Sequence, residues 1–83
     1  MERKHDFERD FKQLDIEYWT LEPARKAVRN KALATYQRAR LYYDGIEQSK
    51  TQYEYDWRIE RALAHMREAV RILKKSKQKE NEK

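Results

Sequence analysis

Only two residues in this chain, Pro23 and Gly45, are strong breakers of regular structure. Around and between them the apolar residues return every three or four positions, the period of one face of an α-helix. A chain with so few places to turn forms helices joined by short connections, so the expected class is all-α.

The first stripe is Phe7, Phe11, Leu14, Tyr18 and Leu21, and it predicts a helix over about 3–19. Pro23 suits the first turn of a second helix, where its missing N–H would have no intrahelical acceptor, and Thr20 offers an N-cap. That second helix is expected over about 23–44, closed by Gly45 in the left-handed conformation with Ile46 as the apolar contact of the cap. Beyond it, Ser49 with Gln52 and Thr51 with Glu54 have the spacing of two overlapping capping boxes. They open a third helix over about 52–77, with Tyr55, Ile59, Ala62, Leu63, Met66, Ala69, Val70 and Leu73 on its stripe. The apolar phase also continues across Pro23 through Val28, Ala32, Thr35, Ala39 and Tyr42, so one long kinked helix is the alternative to two.

The short connection at Gly45 makes the second and third helices an antiparallel hairpin. Alanines on the facing stripes, Ala32 and Ala39 against Ala62 and Ala69, allow the two backbones to come close. If the N-terminal helix folds back over this pair the result is a three-helix bundle; if it reaches outward, the result is an oligomeric helical bundle. Residues 1–76 are expected to form the single domain, and 77–83 a charged tail that frays.

Composition decides how firmly such a fold holds. Leu, Ile, Val and Phe number 14 of 83 residues, below the roughly 20 % at which disorder competes in highly charged chains. The net charge of only +5, from 20 Lys and Arg against 15 Asp and Glu, and the regular apolar spacing favour a folded domain with a thin core. Thin cores gain from association, which makes a homo-oligomer one expected partner state. The chain has no cysteine, which removes disulfides and thiol chemistry and favours a reducing, cytoplasmic setting. The opening MERKHDFERD has no apolar run for a signal peptide, and nothing approaches the ~20 apolar residues of a membrane span. No membrane role is expected.

Chemistry-bearing patterns are sparse. His5 and His65 are the only histidines, and no Gly-rich phosphate loop exists, so no catalytic residue, cofactor or metal is assigned. Arg58 and His65, with six residues between them, resemble the Arg–His pair of HEPN-family ribonucleases over eight positions, with Ile59 where that family generally places a polar residue. Asp56 and Glu60, one turn apart, read as a surface salt-bridged with Arg58 and Arg61.

Two features point to binding. Residues 21–43 carry six basic side chains against one acidic, and 44–60 carry five acidic against two basic. In a hairpin this gathers Arg25, Lys26, Arg29, Arg71, Lys74 and Lys75 at one pole, a candidate contact for nucleic-acid phosphates. Tyr18 and Trp19 lie at that pole as candidates for base stacking. At the other pole Tyr42, Tyr43, Tyr53, Tyr55 and Trp57 converge on the Gly45 turn. Residues two apart cannot all share one helix face, so some of these rings must be exposed. The leading expectation is a small non-enzymatic protein-interaction module. Tyr42, Tyr43, Tyr53 and Trp57 would anchor it, and Asp44, Glu47 and Asp56 would steer a basic partner. The alternative is a nucleic-acid-binding accessory protein working through the basic pole.

Overall fold

In a computed structural model, which describes residues 4–22 and 25–81 and the side chains of 6–22 and 25–75, the chain forms three helices. These are α1 (Lys4–Thr20), α2 (Lys26–Asp44) and α3 (Gln52–Asn81), with one 3₁₀ turn, Ile46–Gln48, between the last two. The apolar stripes become the core. Phe7, Phe11 and Tyr18 of α1 are buried, as are all eight stripe residues of α3. Ala32, Ala39, Ala62 and Ala69 are wholly buried, so the α2 and α3 backbones close on one another over methyl groups. Ile59 and Met66 are the largest fully buried side chains, and each is worth about 1.5–3 kcal/mol of apolar transfer.

The helices run up, down and up. Phe7 and Phe11 join Ala39, Ile46 and Ile59 in one cluster, whereas Tyr18 joins Ala32, Ala69 and Leu73 in a second one. This places α1 antiparallel to α2 and parallel to α3. A single kinked helix through Pro23 would send α1 away from α2, so the chain takes the folded-back arrangement; Pro23 itself lies outside the described residues. Among those residues no Cα of α1 comes within 8 Å of α2. Long aromatic side chains span that gap. Tyr43 stacks on Phe11 at 4.4 Å and lies 5.5 Å from Phe7, while Tyr36 stacks on Tyr18 at 4.4 Å.

The helix ends differ from expectation in four ways. Thr20 does not cap α2: it is the last residue of α1, and its hydroxyl donates to the Glu17 carbonyl at 2.9 Å. The N-cap of α2 is Arg25, in an extended conformation and with no side-chain capping bond. Gly45 is not left-handed; at φ −86°, ψ −5° it continues the right-handed turn, and its N–H donates to the Leu41 carbonyl at 3.2 Å. The physical reason is Ile46, which the 3₁₀ turn draws into the core. Finally, α3 runs to Asn81, past the expected end at 77. The Thr51–Glu54 cap does form, with the Glu54 N–H donating to Thr51 Oγ1 at 3.1 Å. The Glu54 carboxylate accepts from the Lys50 N–H at 3.1 Å.

Candidate functional site

The turn end divides the expected aromatic cluster between two sides of the hairpin. Tyr43 points toward α1 and is held between Phe7, Phe11 and the Arg40 guanidinium, whose carbon lies 5.1 Å from its ring centre. Tyr55 is buried in the core. Tyr42 emerges on the opposite side, edge-on to Trp57 at 5.5 Å and stacked on His65 at 5.5 Å with the rings 8° from parallel. His65 is thus half-buried against an aromatic ring.

Around Tyr42 lies a shallow cleft of about 390 Å³ lined by Leu41, Asp44, Gly45, Gln48, Trp57 and Arg58. Two large apolar side chains on its rim are exposed. Leu41 is 72 % exposed and Trp57 40 %, and Tyr53, one turn before Trp57, is 79 % exposed. Leu41 was absent from the sequence-based candidates. Its signal was there: it falls outside the α2 stripe, so a large apolar side chain had to face solvent.

Arg58 makes this end rigid. Its guanidinium donates to the Gly45 carbonyl at 2.8 Å and to Ser49 Oγ at 3.1 Å, tying α3 to both ends of the 3₁₀ turn. Ser49, expected to cap with Gln52, is used here instead, and Gln52 donates to Asp56 at 3.0 Å. With Arg58 on the turn and His65 on Tyr42, the two residues of the R-x6-H spacing each have a packing partner of their own. Arg61 places its guanidinium 5.5 Å from the centre of the Trp57 ring.

The expected ring of carboxylates is not gathered around the cleft. Asp44 lines it and lies 4.0 Å from Arg40. Glu47 lines a separate hollow with Phe7, Glu8 and Tyr43 on the α1 side. Asp56 precedes Trp57, about 100° round the helix from it. No protein-family model, curated protein or solved structure matches this chain.

At the far pole Arg25, Lys26, Arg29 and Lys75 are exposed. The other two candidates there are paired with acids: Arg71 with Glu68 at 2.8 Å, and Lys74 with Glu17 of α1. Tyr18 is core, and Trp19, 59 % exposed, is tied edge-on to Tyr18 and Tyr36. Its indole N–H donates to Tyr36 Oη at 3.2 Å, and Tyr36 donates in turn to Asp15 at 2.7 Å. Burial raises the Tyr36 phenol above its ordinary value, and the bond to Asp15 raises it further. Burial also raises Tyr18, against a smaller opposing pull from Arg29. Among the described residues no three His, Cys, Asp or Glu side chains group to hold a metal ion, and no helix is long and apolar enough to cross a membrane.

Proposed function

We propose that this chain is a non-enzymatic protein-interaction module that binds through the uncovered face of its helical hairpin at the Gly45 end. One observation carries the reading: Leu41 and Trp57 stand exposed on the rim of a cleft with the exposed Tyr53 one turn before Trp57, whereas the other exposed large apolar side chains, Ile16 and Trp19, lie apart on α1. Aromatic and aliphatic side chains on a rigid frame are what interface hot spots are made of, because little side-chain entropy is lost on binding. Tyr42 and Arg58 supply that frame. The test compares the proteins retained from a native lysate by the wild-type chain and by a Leu41→Ala/Trp57→Ala variant whose fold is checked by circular dichroism. A specific partner retained by the first and lost by the second supports the reading; an unchanged set of partners overturns it.

The basic pole favours a second reading, a nucleic-acid accessory role, because Arg25, Lys26 and Arg29 stay exposed at the start of α2. It calls for binding to a random duplex that weakens steeply between about 50 and 200 mM salt. No shift at low salt would exclude it.

A further inference from the structure

The uncovered face sets two exposed arginines, one from each helix, on either side of the Tyr42–His65 stack. Along α2, Ala34, Arg38 and Leu41 follow one another at spacings of four and three; along α3, Trp57, Arg61 and Ala64 do the same. Each set therefore shares one helix face. All except Trp57 among the α3 set and all of the α2 set are plainly exposed, and Trp57 itself is partly so. Between the two rows run the half-buried Thr35, Tyr42 and His65. The face is thus a seam between antiparallel helices, floored by a threonine and the stacked Tyr42 and His65 rings, with one arginine on each bank and the cleft at its Gly45 end. Neither Arg38 nor Arg61 has a carboxylate within 4.0 Å among the described residues. Asp44 is the carboxylate at the cleft, and it leans toward Arg40.

Resting on the interaction reading above, we propose that the occupant of this seam is an acidic amphipathic helix, packed as a fourth helix against α2 and α3. A helix fits because ridges of side chains settle between two antiparallel helices, and the span from Ala34 to Leu41 is about 10 Å at 1.5 Å per residue, two turns of a partner. Its apolar residues, spaced i, i+3, i+4 and i+7, would cover Leu41, Tyr42 and Trp57. Glu or Asp on its flanks would meet Arg38 and Arg61. This reverses the polarity expected from the sequence, where the carboxylates of the turn segment pointed to a basic partner.

The experiment uses two fluorescein-labelled synthetic helices with one leucine stripe, one flanked by Glu and the other by Lys, titrated with the full chain by fluorescence anisotropy. The Glu peptide should bind at least tenfold more tightly than the Lys peptide. An Arg38→Glu/Arg61→Glu chain, checked for unchanged melting, should reverse that order. Equal binding of both peptides, abolished by Leu41→Ala/Trp57→Ala, overturns the acidic-partner proposal while leaving the interaction reading standing. Binding of neither peptide overturns the proposal, with the interaction reading then judged by its own capture assay. Displacement of the Glu peptide by a random duplex would assign the arginines to nucleic acid. A dimer in sedimentation that Leu41→Ala/Trp57→Ala dissociates would make the occupant a second copy. Either result overturns the proposal too.

Discussion

The two sides of the α2–α3 hairpin carry the same kinds of residue in different states. On the side that α1 covers, Phe7, Phe11 and Tyr43 form one aromatic group and Tyr18 and Tyr36 a second, and the two together join helices whose backbones stay apart. On the other side no third helix among the described residues lies above Leu41, Tyr42 and Trp57; Leu41 is largely open to solvent and Trp57 partly so. The difference teaches that hydrophobicity alone does not assign a side chain to the core here. What assigns it is whether a helix arrives to cover it.

Truncation on the covered side should therefore be the most damaging. Phe11 is 2 % exposed and touches Phe7 and Tyr43, so Phe11→Ala should cost about 3–5 kcal/mol in denaturant unfolding. In a domain of this size that is a large share of the total stability. Trp57→Ala, which removes a larger ring from the uncovered side, should cost clearly less. Equal losses would break the comparison.

The next effect is at the turn that holds both sides in place. Arg58→Ala removes two hydrogen bonds and leaves the Gly45 carbonyl without its side-chain donor, which should cost about 1–3 kcal/mol. If the turn rather than the core is what loosens, hydrogen exchange should accelerate at the amides of Ile46–Ser49 before those of Ile59 or Met66.

This residue also marks how far the sequence could be read. The helices and the buried stripes were legible because amphipathic spacing and burial are the same physical fact seen twice. Ala32, Ala39, Ala62 and Ala69 show it well: small residues on the facing stripes are wholly buried. Arg58 was not legible as a turn clamp, since its acceptor is a backbone carbonyl 13 residues away, and nothing in a side-chain pattern signals a carbonyl. The division of Tyr42 from Tyr43 was half legible. Their adjacency forced them onto different faces, yet only the path of α1 decided which face would be covered. Gly45 misled because a glycine after a helix suggests a left-handed cap, whereas burial of Ile46 held the chain in a right-handed turn.

The polar link on the covered side gives a smaller and pH-dependent effect. Tyr36→Phe removes the hydroxyl that donates to Asp15 and accepts from Trp19, and should cost about 1 kcal/mol at neutral pH. Tyr36 and Tyr18 are both raised above the ordinary 10.0 in the folded state. Their contribution is fully present below pH 10.0 and is lost as pH rises through the folded-state values, because the unfolded chain gives up those protons first. Chemical unfolding followed above pH 10.0 should accordingly show a shallower loss of stability in Tyr36→Phe than in wild type. An identical slope would mean that the phenol is not protected by its aromatic group.

A slight gain is expected at Gly45. A Cβ there would meet the Leu41 carbonyl at 3.5 Å, an ordinary contact, and the right-handed backbone suits any residue. Gly45→Ala should raise stability by about 0.4–1 kcal/mol by restricting the unfolded chain. A loss instead would show that this turn needs the glycine's freedom after all.

The smallest effect is also the sharpest comparison, because it sets one residue type against itself. Leu63 is buried in the first core cluster and Leu41 is 72 % exposed at the cleft rim. Leu63→Ala should cost about 2–5 kcal/mol, while Leu41→Ala should stay within about 0.5 kcal/mol of wild type. A leucine that adds almost nothing to the fold still exposes apolar surface to water in the free protein. Covering it in a complex recovers that surface at roughly 25 cal/mol per Å². Leu41→Ala should therefore leave the melting curve unmoved and still weaken the anisotropy response to the Glu-flanked helix. If the variant instead melts like Leu63→Ala, Leu41 belongs to the core in solution, and the two sides of the hairpin are less different than they look.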